Sequence, residues 1–171
     1  VHEAFNIASL WKLPVVFVIE NNQYAMGTAI ERASAGHEHL YKAGTGTGIP
    51  GERVYGMDVI EVKEAIAKAC AHARSGEGPH ILEMRTYRYR GHSMSDPAQY
   101  RSKEEVARIR NDHDPIAMLG DRLVKKKHAD QDALKKIDVE VREIVTAAAA
   151  FAESSPEPDP AELFTDVVAG A

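Results

Sequence analysis

Residues 12–28 read KLPVVFVIENNQYAMGT, and the first half of this stretch decides the fold class. Pro14 cannot continue a helix, so it ends the amphipathic run Glu3 to Lys12. Val15 to Ile19 is a continuous, β-branched apolar run. That pattern predicts a strand buried on both faces of a parallel sheet. The polar segment Asn21 to Thr28 then falls at the carboxyl end of that strand.

Working outward, a short helix is expected over His37 to Ala43, a loop over Gly44 to Gly51 and a brief strand over Arg53 to Tyr55. Glu61 to Arg74 is a helix with Val62, Ile66, Ala69, Cys70 and Ala73 on one face. The run Ser75-Gly76-Glu77-Gly78-Pro79 stops it. Ile81 to Tyr87 is the next strand, with Leu82, Met84 and Thr86 on one face. Strand, helix and strand in this order imply a right-handed parallel crossover, so the fold class is α/β: a parallel sheet flanked by helices.

Beyond a polar loop, Tyr89 to Arg101, the chain turns helical. Ser102 caps a helix, with Glu105 placed to complete a capping box. Asp114-Pro115 starts another. A long helix covers Gln131 to Phe151, with Leu134, Ile137, Val141, Ile144 and Val145 at helical spacing. Three segments are expected: an α/β domain over 1–101, helices of the same domain over 102–155, and an extended, proline-rich tail over 156–171. Helix already begins at Glu3, behind Val1, which suggests a piece of a longer chain.

The 171 residues carry a formal charge of −5, with no basic stripe of the kind nucleic-acid binders show. Lys125, Lys126 and Lys127 read as the solvated end of a helix, where cations favour the dipole. The apolar run at Leu13 to Ile19 is too short to cross a bilayer. A single cysteine, Cys70, excludes an intramolecular disulfide and fits a reducing compartment. Its position predicts a small buried hydrophobe.

Two loops follow predicted strands, where open parallel sheets bind ligands. In Glu20 to Thr28, an asparagine amide oxygen is a neutral, hard ligand suited to Mg²⁺, and irregular backbone can add carbonyls. The bland alternative is that Asn21 and Asn22 form an Asx-turn. In Tyr87 to Arg101, Arg88, Arg90 and Arg101 surround His92, Ser93, Ser95 and Asp96. Arginines bind phosphate oxygens bidentately, and a histidine among them can donate to an anion or shuttle protons. The bland alternative here is a solvated surface loop. Composition and periodicity name no reaction.

The stretch EAFNIASLWKLPVVFVIENNQYAMGT resembles the second half of the thiamine-diphosphate motif, which opens with Gly-Asp-Gly and closes on Asn-Asn. It is similar to the alpha subunits of the 2-oxo-acid dehydrogenase family. TYRYRGHSMSDPAQYR is similar to the pyruvate-specific branch, and IPGERVYGMDV and PEPDPAELFTDVV extend the likeness over nearly the whole chain. The resemblance implies the C-terminal portion of such a subunit in a thiamine-diphosphate-binding fold, with the Gly-Asp-Gly half expected ahead of Val1.

It also implies roles for single residues. Asn22 gives its side-chain oxygen, and Tyr24 its backbone carbonyl, to a Mg²⁺ that bridges the diphosphate of thiamine diphosphate. His92 lies by that diphosphate as cofactor-binding and catalytic residue. Ser93 corresponds to a serine that kinases phosphorylate in the mitochondrial members. Gln99 stands near the place of a second regulatory serine, which suggests a bacterial, cytoplasmic source.

The implied activity is oxidative decarboxylation of pyruvate with acetyl transfer to lipoyl groups. It requires a beta subunit in a heterotetramer and a dihydrolipoyl acyltransferase core, with no nucleic-acid or membrane partner. The isolated chain is expected to be inactive. Alternatives are a branched-chain 2-oxo-acid or acetoin subunit, or a fragment acting only as an interaction module. A generic phosphate-binding α/β domain fits less well, since no glycine-rich phosphate loop is present.

Overall fold

The computed structural model describes residues 1–165. They form two compact units, divided after Arg122. The first holds a three-stranded parallel sheet of order β1-β5-β4, built from β1 (Val16–Asn21), β4 (Gly51–Tyr55) and β5 (His80–Arg85). Both pairings are parallel, with Val18 opposite Leu82 and Val54 opposite Met84. A small antiparallel hairpin, β2 (Tyr24–Ala25) with β3 (Thr28–Ala29), follows β1 directly. The short α2 (Ile30–Ala33) and a 3₁₀ segment (Leu40–Thr47) lead on to β4.

β5 is the central strand, and its period-2 alternation feeds two cores. Leu82 and Met84 point to one face, where they join Val54 and Ala69, with Val62, Ala65 and Ile66 of α3 (Val59–His72) packed against them. Ile81 points to the other face and joins Phe5 of α1 (His2–Leu10) and Ile49, with Phe17, Ile19 and Tyr41 alongside. The expected α3 stripe is therefore the face that meets the sheet. Cys70 on this helix is half-buried and free. Asp58 caps α3, accepting from the backbone N–H groups of Ile60 (2.8 Å) and Glu61 (3.2 Å). The expected stop is visible in Gly76, whose φ of +85° suits a residue with no Cβ.

β1 departs from expectation. It is an edge strand among the described residues, and Val18 is 52% exposed. The strand buried on both faces is β5, whose first five residues are all buried. A continuous apolar run signals capacity for burial and does not fix a strand's place in the sheet order.

α4 (Lys103–His113) and the start of α5 (Pro115–Lys125) complete the first unit. The Ser102 hydroxyl oxygen accepts from Glu105 N–H at 3.0 Å, and Asp114 Oδ1 accepts from Ile116 and Ala117 N–H, each at 3.0 Å. In the second unit the dominant element is α6 (Gln131–Ser154), capped by Asp130. Its expected apolar stripe is present, with Ile137, Val141, Ile144 and Val145 all exposed. Lys125 to Lys127 are exposed at the end of α5. The proline-rich tail is interrupted by a 3₁₀ turn, Pro160–Phe164; the rest of the expected extension, from residue 166, lies outside the described residues.

Candidate active site

The two loops singled out in the sequence leave the carboxyl ends of β1 and β5, which are adjacent strands. Their first residues are joined by hydrogen bonds. Thr86 N–H donates to the Asn21 carbonyl at 2.9 Å, and Arg88 N–H donates to the Asn22 carbonyl at 3.3 Å. The Thr86 hydroxyl donates to the Asn22 side-chain oxygen.

The two asparagines do different work. Asn21 is buried, and its Nδ2 donates to Glu83 Oε1 at 2.8 Å. Its Oδ1 accepts from Gln23 N–H (3.2 Å) and Gln23 Nε2 (3.0 Å), forming the local turn the bland reading foresaw. Asn22 is only half-buried, and its Nδ2 donates to Glu20 Oε1 at 3.2 Å. Fixing that amide nitrogen fixes where the amide oxygen points. An amide oxygen has two lone pairs, so Asn22 can serve Thr86 and one further partner.

Glu83 went unremarked in the sequence. It is fully buried in the central strand. Its carboxylate accepts from Asn21 and, at 3.1 Å, from Tyr41 N–H. Arg53 Nε stands 3.5 Å away, close enough for charge pairing but not aligned for a hydrogen bond. A buried charge needs such partners. The only sequence signal was an acidic residue set among the apolar Ile81, Leu82 and Met84 of the strand.

A cleft of about 290 Å³ opens at this rim, lined by Glu20, Asn22, Tyr24, Thr28, Leu40 and Arg88 among others. Arg88 is the cation that the second loop brings to it. Arg88 Nη2 also lies 3.5 Å from the His92 carbonyl. His92 and Ser93 are exposed and do not line this cleft. The second loop is organised around Asp96. Its Oδ2 accepts from His92 N–H (2.7 Å) and the Tyr100 hydroxyl (2.9 Å), and its Oδ1 from Ala98 N–H (2.8 Å). These donors, led by His92 N–H, hold the Asp96 carboxyl below its ordinary range. Gly91 permits the tight turn, since a Cβ there would come within 2.9 Å of Asp96. The Ser93 and Ser95 hydroxyls lie 3.0 Å apart.

Arg101 is not turned toward the cleft. Its guanidinium donates to the carbonyls of Arg88 and Tyr89 and stacks among the rings of Tyr24, Tyr87 and Tyr100 at 5.3, 5.3 and 5.7 Å. The hydroxyls of Tyr24 and Tyr87 donate to Glu105 Oε1 at 3.0 and 2.7 Å. Burial, then the Glu105 carboxylate, raises both phenols, Tyr87 to about 12.

Residues 1–161 match the family described as Dehydrogenase E1 component. The chain belongs to that family. Among similar E1 proteins is the pyruvate dehydrogenase E1 component subunit alpha of Rhizobium meliloti (strain 1021), 58% identical over 98% of this chain and 48% of the relative. The Zymomonas mobilis protein of the same name is 53% identical over 99% of this chain and 48% of its own length. The human protein named pyruvate dehydrogenase E1 component subunit alpha, somatic form, mitochondrial, is 51% identical over 95% and 41%. The chain thus spans less than half the length of these curated relatives.

For an E1 chain, the donor chemistry of the cleft suits a hard cation bound to a diphosphate. No group of three His, Cys, Asp or Glu able to hold a metal occurs among the described residues. Among the described residues the cleft offers the Asn22 amide oxygen and the Glu20 carboxylate, and Mg²⁺ is ordinarily held by one or two protein oxygens together with phosphate oxygens. Arg88 supplies a complementary charge for phosphate.

Proposed function

We propose that this chain is part of the alpha subunit of the pyruvate dehydrogenase E1 component, which decarboxylates pyruvate oxidatively and passes the acetyl group to lipoyl groups. The observation that carries the reading is the fixed Asn22 amide oxygen beside Arg88 in one cleft, in a chain 51 to 58% identical to proteins of that name.

Asn22 and the Tyr24 carbonyl would hold Mg²⁺, and Arg88 would pair with the diphosphate of thiamine diphosphate. When bound, that cofactor supplies the electron sink for decarboxylation. The protein's part is to orient the diphosphate and to present the His92 loop. His92, on a loop pinned by Asp96, would reach the reacting group from that loop. Ser93 is a candidate for regulatory phosphorylation: a phosphate there would stand in the turn closed by the Asp96 carboxylate, and like charges would loosen it.

The partners are a beta subunit, completing a heterotetramer, and the dihydrolipoyl acyltransferase core. The bacterial origin of two of the similar proteins supports a cytoplasmic enzyme over a mitochondrial one. No helix among the described residues is long and apolar enough to cross a membrane.

The test is to assemble the complete subunit with its beta subunit and compare 2-oxo acids. Preference for pyruvate is expected. Preference for a branched-chain acid, or no thiamine-diphosphate dependence, would overturn the reading.

A further inference from the structure

Glu105 lies in the first turn of α4, and a capping box would send its side chain back to its own helix. It does not go there. Its backbone N–H meets the Ser102 hydroxyl, while its carboxylate accepts from Tyr24 and Tyr87. Tyr24 belongs to the loop after β1. Tyr87 opens the loop after β5, which Arg101 closes. One carboxylate oxygen therefore touches both loops, and it clasps the base of the second, since Tyr87 and Glu105 are 18 residues apart in sequence.

The chemistry favours a firm clasp. Phenol hydroxyls are protonated donors at physiological pH, and both reach the same Glu105 oxygen, at 3.0 and 2.7 Å. The acceptor is an ionised carboxylate, which makes the bonds charge-assisted. The Tyr24 and Tyr87 rings meet edge to face with centroids 5.9 Å apart, and the Arg101 guanidinium lies 5.3 Å from each.

We propose that Glu105 is a positioning residue that fastens the Asn22–Tyr24 loop to the Tyr87–Arg101 loop through two tyrosine hydroxyls. Its effect on cofactor affinity rests on the functional reading above; its effect on the loop does not. The residue held by its ring, Tyr24, is the one whose carbonyl would face the metal. The loop held at its base is the one that carries Arg88 and His92.

The test uses the complete subunit assembled with its beta subunit, in wild-type form and as Glu105→Ala, Glu105→Gln, Tyr87→Phe and the Glu105→Ala/Tyr87→Phe double variant. Trypsin cleavage at the exposed Arg90 is followed without cofactor, and thiamine diphosphate with Mg²⁺ is titrated calorimetrically. Glu105→Ala removes both hydrogen bonds and should speed cleavage and weaken cofactor binding by at least about tenfold each, the scale of a single lost charge-assisted hydrogen bond being the lower bound. Glu105→Gln keeps an oxygen that accepts both hydroxyls and should stay within about threefold of wild type on the same scale. In the double variant the two effects should fall well short of multiplying, because the groups share one interaction.

Wild-type cleavage in Glu105→Ala, or effects that multiply in the double variant, would overturn the proposal. If Glu105→Ala fails to assemble, Tyr24→Phe and Tyr87→Phe decide by the same cleavage assay: faster cleavage supports the clasp, and wild-type rates refute it. If the wild-type assembly binds no thiamine diphosphate, the functional reading fails while the cleavage arm still judges the clasp.

Discussion

Replacing Glu83 by alanine should be among the most damaging single changes in the α/β unit. The side chain is fully buried and satisfies Asn21 Nδ2 at 2.8 Å and Tyr41 N–H at 3.1 Å, with Arg53 Nε 3.5 Å away. Its removal leaves two donors without partners and one guanidinium without its counter-charge. Breaking a buried pair by deleting one member costs about 3–5 kcal/mol. Part of the Arg53 loss is softened by water, since that side chain is 28% exposed, so the lower end, about 3 kcal/mol, is expected. Glu83→Gln keeps one acceptor, at the Oε1 position, for Asn21 and Arg53 but turns an N–H₂ toward Tyr41 N–H, at a cost of about 1–3 kcal/mol. Urea unfolding of both variants followed by circular dichroism measures this, provided the slope m is unchanged. If both variants lay within about 0.5 kcal/mol of wild type, the range of ordinary surface changes, Glu83 would not be the anchor of the Asn21 turn.

Other expectations concern pH and capping. His80 is buried, neither ring nitrogen is hydrogen-bonded, and Glu52, His72 and Lys68 are the ionisable groups that face it. Burial, only partly opposed by Glu52, holds its imidazole below the ordinary 6.5. The unfolded chain therefore takes up the proton first, and stability present above 6.5 is lost as pH falls through the folded value. His80→Leu should flatten that dependence in urea midpoints measured between about pH 7 and 5; an unchanged slope would contradict it. Asp58 caps α3 and is held below its ordinary 3.8 chiefly by Arg122, so its contribution is present above that pH and lost as pH falls through the lower folded value. Asp58→Ala should cost about 1 kcal/mol at neutral pH, and the loss should vanish in acid; a pH-independent difference would show that the carboxylate's charge is irrelevant.

Much of this molecule was legible in its sequence because the signals were local. Proline at 14, the β-branched run, the α3 stripe and the caps at Ser102 and Asp114 each act through neighbouring residues, and each appears as expected. The misreadings are of tertiary origin. Val18 belongs to a strong apolar run, yet the sheet order leaves β1 at an edge. Glu105 fits a capping box, but two tyrosine hydroxyls compete for its carboxylate and hold it. Arg101 reads as a phosphate ligand, but three aromatic rings and two carbonyls claim its guanidinium. The β2–β3 hairpin pairs only two residues per strand, too few for periodicity to register. In the candidate site, residue types pointed to Asn22 and to the arginine-rich loop. They could not reveal that Asn21 turns inward to Glu83 while Asn22 faces the cleft, because two adjacent asparagines look alike until the strand's alternation assigns them to different sides.

The central claim is that the Asn22 oxygen, set at the joined ends of β1 and β5, receives the metal of a metal-diphosphate group. Calorimetric titration of thiamine diphosphate into the complete subunit assembled with its beta subunit, with and without Mg²⁺, tests it most directly when wild type is compared with Asn22→Ala. The account predicts Mg²⁺-dependent binding to wild type and a loss of at least about tenfold in the variant, the worth of a charge-assisted contact. Binding that is equally tight in Asn22→Ala, or indifferent to Mg²⁺, would contradict it.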